Sequence, residues 1–207
     1  MFEYLSLINE MRVGQGFLSV EETVLLSQQG ITIMDPFSTL VSKRAQLSES
    51  LLIWPNVTIS VGPRGSLTIG SQTVLHSGLR IEANEGSIEI GCRAELGHAG
   101  GFTILASGNA DLVTIGDEVR LNGGGSVAVK AEIGHGAQVL GPISVQHCKL
   151  GAGGSHREPD PDKRGGVLKG CGVARHLEIP AGMVIQAFGD FAQAPLRPQT
   201  FFHPKLS

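Results

Sequence analysis

The sequence predicts an all-β chain wound into a three-sided parallel β-helix, and three observations carry the prediction. Aliphatic side chains recur every six residues over long stretches. Glycine is abundant, at 29 of 207 residues, so the backbone turns often. Aromatic residues are scarce, with one Trp and one Tyr, so aliphatic groups fill the interior. A narrow prism has no room for large rings.

The longest run starts at Ile115 and steps by six through Leu121, Val127, Ile133, Val139 and Val145. Shorter runs keep the same step: Ile69, Leu75 and Ile81; Ile90, Leu96 and Phe102; and Val167, Val173, Ile179 and Ile185. Glycine follows the aliphatic at positions 70, 91, 97, 116 and 134, and a small residue stands two before it at Ala94, Ala131 and Ala137. A short strand followed by a bend accounts for both neighbours: the aliphatic points inward and the small residue fits the corner. Three such strands close a coil of about 18 residues, and stacked coils bury one continuous aliphatic column. A β-sandwich explains alternation such as Leu67-Thr-Ile69, but it does not require a phase of six held from Ile115 to Val145.

The remaining segments fit around that column. Ser19-Val-Glu-Glu22 reads as a capping box, followed by Thr23–Gln29 and the stop residue Gly30; a short helix closing the open end of the column is expected. Asn84–Ser87 and Ser107–Asp111 are short corner insertions. Ala152–Gly166 is a long excursion whose only apolar residues are Ala and Pro, and a loop added to a rigid solenoid is a usual place for function. Phe188–Ser207 carries Pro195, Pro198 and Pro204 with Phe191, Phe201 and Phe202; too proline-rich for a helix, it is expected to pack along the prism or onto a neighbouring subunit. The expected organisation is an N-terminal segment over 1–50, the β-helix over 51–187 with its excursion at 152–166, and a tail over 188–207.

Composition excludes some partners. A hydrophobic share of 41% can bury a core, and a net charge of −3 without a Lys/Arg run argues against nucleic-acid binding. No apolar stretch reaches transmembrane length, and the N-terminus lacks a basic region before a long apolar one, so a soluble cytoplasmic protein with no membrane partner is expected. Cys92, Cys148 and Cys171 are odd in number and show no CxxC spacing, which reads as buried thiols in a reducing compartment, with no metal expected.

Two segments carry a resemblance. Gly30-Ile-Thr-Ile-Met-Asp-Pro36, followed by Ile53-Trp-Pro-Asn-Val-Thr-Ile59, is similar to the junction into the left-handed β-helix of bacterial N-acetylglucosamine-1-phosphate uridyltransferases, and the repeats from Ile53 to about Ile185 resemble the hexapeptide-repeat transferase superfamily. The resemblance implies a left-handed parallel β-helix with a short N-terminal helix and an extended C-terminal tail. Only some fifty residues precede the helix here, without a Gly-rich phosphate loop, so uridylyl transfer is not expected. The Asn-Tyr-Asp-Gly segment that carries acetyl transfer in those enzymes is absent too, the single tyrosine being Tyr4. The superfamily otherwise implies a homotrimer with sites in the clefts between prisms, and acyl-CoA as co-substrate.

The chemistry that the superfamily implies needs a neutral imidazole in a cleft, where it deprotonates an acceptor that attacks a thioester. Among seven histidines, His135, His147 and His98 stand two residues after a core aliphatic and are the candidate bases, in that order. Lys169 and Arg175 are candidates for the CoA phosphates, and Arg157, Arg164 and His156 in the excursion for an anionic substrate group. The reaction expected is acyl transfer to a small or sugar-nucleotide acceptor at an intersubunit cleft. Two alternatives belong to other classes: a non-catalytic trimeric scaffold, and metal hydration chemistry like that of γ-type carbonic anhydrases, whose His pair five residues apart has no counterpart here.

Overall fold

Alternation sets the structure strand by strand. In Thr58–Val61, Ser66–Ile69 and Ser87–Ile90 every second residue is buried and the residues between face outward. The computed structural model, which describes residues 2–203, stacks these strands in parallel register into a left-handed β-helix. Three faces repeat along the chain. Face A holds Thr32–Ile33, Leu52–Ile53, Val74–Leu75, Glu95–His98, Arg120–Asn122 and Gln138–Leu140. Face B holds Leu40–Val41, Thr58–Val61, Leu79–Ala83, Phe102–Ala106, Ser126–Ala128 and Ile143–Gln146. Face C runs from Gln46–Leu47 through Leu112–Ile115 to Glu178–Ile179. In the last two coils Val167–Arg175 and Met183–Asp190 pass through the corner between faces A and B unbroken.

Each face contributes one buried column. On face A it is Ile53, Leu75, Leu96, Leu121, Val139, Leu168 and Ile185, in direct register from coil to coil. The run from Ile115 to Val145 visits faces C, A and B in turn, as the six-residue step requires. At two places the phase differs from the sequence pattern. Ile104, not Phe102, continues the column on face B, because Gly100 and Gly101 lengthen the corner; Phe102 lies two residues earlier on the same strand and also points inward. After the excursion the column residues are Leu168 and Ala174, and Val167 and Val173 face outward, since a shift of one residue turns every side chain to the opposite face. The first coil starts at Thr32–Ile33, ahead of residue 51.

Both ends are closed. The capping box forms: the Glu22 amide donates to Ser19 Oγ at 3.0 Å and the Ser19 amide to Glu22 Oε2 at 2.7 Å, starting helix α2 at Val20–Leu25. A 3₁₀ turn, Leu26–Gln29, ends at Gly30 in the left-handed conformation. The sequence pattern did not predict α1, Phe2–Gly14, which precedes it. Buried Arg12 ties the two helices to the first coil, donating to the carbonyls of Leu18, Pro36 and Thr39 and to the Thr23 hydroxyl. At the other end Phe191 is fully buried in the mouth of the column, and Leu196–Pro198 turns back to pair antiparallel with the last strand, covering an edge of the sheet. Pro204, part of the predicted tail, lies outside the described residues.

The excursion is fastened to the prism rather than free. Gly154 pairs with Arg164 across its neck, the Gly182 amide donates to the Arg164 carbonyl at 2.7 Å, and tail residue Gln199 donates its side-chain amide to the Gly165 carbonyl at 2.7 Å. Of the three free thiols only Cys148 is buried; Cys92 and Cys171 are half-buried, so the expectation of buried thiols holds for one. Among the described residues no helix is long and apolar enough to cross a membrane.

Candidate functional site

Face A carries a row of outward side chains, one residue ahead of its buried column: Leu52, Val74, Glu95, Arg120, Gln138, Val167 and Val184. The middle of the row is polar and joined. Arg120 Nε donates to Glu95 Oε2 at 3.2 Å, and its Nη1 approaches Gln138 Oε1 at 3.5 Å. The excursion brings His156 to this stretch, where it and Arg120 both line two cavities.

The first cavity, about 290 Å³, is walled by Arg120, Arg164 and Lys169 among apolar Leu140, Val167, Val184 and Phe202. The second, about 400 Å³, is walled by Arg93, Glu95, Glu118, Arg120 and Arg157. His156 lines both. Burial lowers its pKa from the ordinary value, and the cations of Arg120, Arg157 and Arg164 push the same way against the opposing pull of Glu95. The ring is therefore neutral at neutral pH, and its Nδ1 is shielded from solvent with no hydrogen-bond partner. A hydrogen bond from the Ser155 hydroxyl, then one from Arg93, hold the Glu118 carboxyl below the usual range and fasten the loop at that point.

The sequence-predicted residues divide into those gathered here and those elsewhere. His156, Arg157, Arg164 and Lys169 line the paired cavities. Arg175 does not; it lies past the A–B corner, donating from Nε to Gln146 Oε1 at 3.2 Å. The three candidate bases stand at three different corners of the prism. His98 ends a face A strand at the A–B corner, with its ring edge-on to His76 at 5.0 Å. His147 is at the B–C corner, stacked on His176 at 4.8 Å. His135 is at the C–A corner and lines a shallow depression with Gly116 and Thr114. Within one chain the geometry thus does not combine them. Among the described residues no three His, Cys, Asp or Glu side chains gather as a possible metal-binding set.

Sequence reasoning missed Arg120, Glu95 and His76. Their signal was the position just before a column aliphatic for Glu95 and Arg120, and just after one for His76. That signal becomes readable only when the coil register shows which such residues share face A.

No protein-family model matches the chain, and no curated protein matches it. Among solved structures it is similar to a crystal structure of a Bacillus cereus protein described by an inferred acetyltransferase activity, at 12% identity and a TM-score of 0.34, over 84% of this chain and 80% of that one. A likeness at that level carries no weight for the chemistry.

Proposed function

We propose that this chain is an acyltransferase of the hexapeptide-repeat kind, moving an acyl group from an acyl-CoA thioester to a hydroxyl or amine of a small or nucleotide-linked acceptor. One observation carries the reading: a neutral, partly buried His156 stands between two cavities lined by Arg120, Arg157, Arg164 and Lys169. Those cations suit the phosphates of CoA or of an anionic acceptor, and Leu140, Val167, Val184 and Phe202 suit an apolar pantetheine arm. The role of general base passes to His156, which the sequence pattern had placed with substrate binding.

In the proposed reaction the His156 imidazole takes the proton from the acceptor O–H or N–H as the heteroatom bonds to the thioester carbonyl carbon. The resulting oxyanion lies near the Arg120 cation. Collapse breaks the C–S bond, and the imidazolium returns its proton to the leaving thiolate, so the enzyme ends as it began. The resemblance to the uridyltransferase junction supports the same reading. The superfamily resemblance implies a homotrimer, and the proposed site faces a cleft between its prisms, where His98, His135 or His147 of a neighbouring chain would approach.

The test is thiol release from acetyl-CoA and longer acyl-CoAs across a panel of amines, sugars and sugar nucleotides. His156→Asn is expected to lower kcat/KM by about 10²–10⁴-fold with unchanged melting temperature. The acid limb of the pH profile should fall below pH 6.5, because the base must be neutral and its pKa is lowered from that value. Absence of both thiol release and CoA-induced thermal stabilisation would overturn the proposal. The scaffold reading would then stand, and one observation already favours it: Tyr4, Leu7 and Met11 form an exposed apolar stripe along α1 at helical spacing.

A further inference from the structure

The excursion and the C-terminal tail reach the first cavity from separate parts of the chain, and one side chain joins them. Leu196–Pro198 brings the tail back along the last strand, and a 3₁₀ turn, Gln199–Phe201, follows. Among the described residues 192–203 Gln199 alone is buried, at 4% exposure, while Leu196 and Phe201 near it stand open to solvent. Burying an amide group is costly unless it is hydrogen-bonded, so its bonds show what it holds. Its backbone N–H donates to the Gly182 carbonyl at 2.7 Å and its side-chain Nε2 to the Gly165 carbonyl at 2.7 Å. Its own carbonyl accepts from the Phe202 and His203 amides at 3.0 Å each. Gly165 belongs to the neck of the excursion, where its amide donates to the Gly154 carbonyl at 2.9 Å. A second tail contact, from the Thr200 amide to Asp162 Oδ1 at 3.2 Å, lands on the same excursion.

We infer that Gln199 is a positioning residue of the candidate site: it locks tail and excursion into one clamp that holds Phe202 and His156 in place around the first cavity. The inference deepens the proposed function, and it rests on that reading only for the chemistry of the residues being positioned. Three features carry it. The excursion supplies His156 and Arg164 to the cavity wall and the tail supplies Phe202 and His203, and Gln199 is bonded to both segments and to the last coil at Gly182. Phe202 is kept in that wall by its amide bond to Gln199 and by Lys169, whose Nζ stands 5.9 Å from the ring centroid. The bond to Gly165 is made by the side chain, so a point variant removes it while the backbone bonds of the tail remain possible. Methionine fills similar space and donates nothing. Without that bond the neck is free to part from the tail, and water gains access to His156.

Native-state hydrogen exchange on the unmodified full chain is the first test. The Gly165 and Gln199 amides should open together, with protection within about ten-fold of each other, and a wider gap would overturn the clamp. Gln199→Met is then compared with the parent by exchange and by histidine NMR. In the parent the His156 midpoint lies below 6.5, held there by burial and by Arg120, Arg157 and Arg164 against Glu95, with Lys169 and His203 also facing the cavity. In the variant that midpoint should rise toward 6.5, and exchange at Gly165 should quicken at least about ten-fold. Leu196→Ala, which trims the same tail without touching the Gly165 bond, should change neither. The acid limb of thiol release should move up with the His156 midpoint. An unchanged midpoint or unchanged Gly165 exchange in Gln199→Met would overturn the inference even if the variant melts lower, and equal changes in Leu196→Ala would do the same. A parent that releases no thiol would sink the acyltransferase reading, while exchange and titration still decide the clamp.

Discussion

Replacing Arg12 by methionine tests whether the N-terminal cap is held by one buried cation. The guanidinium donates at 2.8 Å to Leu18 O, 2.9 Å to Pro36 O, 2.7 Å to Thr39 O and 3.1 Å to Thr23 Oγ1, and the residue is 5% exposed. Its burial is costly enough that its pKa is lowered from the ordinary value. Methionine fills similar space but donates nothing, so three backbone carbonyls lose their partner. Each charge-assisted bond is worth about 1.5–3 kcal/mol. Part of that sum is offset because the variant no longer desolvates a cation, leaving a net loss of about 3–5 kcal/mol. For a chain of this length that corresponds to a fall in Tm of about 10 °C, read by circular dichroism. Hydrogen exchange should show the loss concentrated in residues 2–41, with the column from Ile53 onward still protected. Arg12→Lys, which keeps the charge but cannot reach all four acceptors, should fall between. A methionine variant melting within about 2 °C of the parent, with protection of α1 and α2 intact, would refute the reasoning.

Three other outcomes are expected. Leu121→Ala opens a hole in the middle of the face A column and should cost about 2–5 kcal/mol in urea denaturation. Gly141→Ala should abolish soluble expression or lower Tm sharply, since φ is +125° and a Cβ there would overlap the Gly170 carbonyl oxygen of the next coil; Gly14→Ala, with nothing within 4 Å, should be neutral in the same assay. The pKa of His76 is lowered, chiefly by burial, with Glu95 pulling up and His98 pushing down. Trp54 emission should therefore drop as pH falls through a midpoint below 6.5, and a midpoint at or above 6.5 contradicts the assignment. The same shift makes the unfolded chain bind the proton more readily. The stabilisation is thus fully present above about pH 6.5 and is lost as pH falls toward the lower folded-state pKa.

Legibility varied along the chain for physical reasons. The stretch Ile115–Val145 was readable because corners of fixed length keep one phase, so each sixth residue falls inside. Phe102, Val167 and Val173 were misplaced where a Gly-Gly corner and the excursion changed the count by one or two residues. The capping box at Ser19–Glu22 was visible as a local motif, whereas in α1 the exposed Tyr4, Leu7 and Met11 stand beside the half-buried Leu5 and Ile8, so no clean polar face set the helix apart. Arg157, Arg164 and His156 stood out through their excursion. Glu95 and Arg120 did not, being 25 residues apart and joined only because their strands are neighbours.

What the amino-acid order determined by itself was the repeat: side-chain volume and polarity at every sixth position dictate a short strand, a bend and an inward column. Which outward residues meet was decided only in three dimensions. Corner insertions of different length reset which residues lie over one another from coil to coil. Thus Trp54, His76 and His98 form a ladder, His156 and Arg120 line the same cavity, and His98, His135 and His147 are parted to three corners. Spacing along a chain specifies the period of a solenoid, and contact across its coils depends on the summed length of every corner between them.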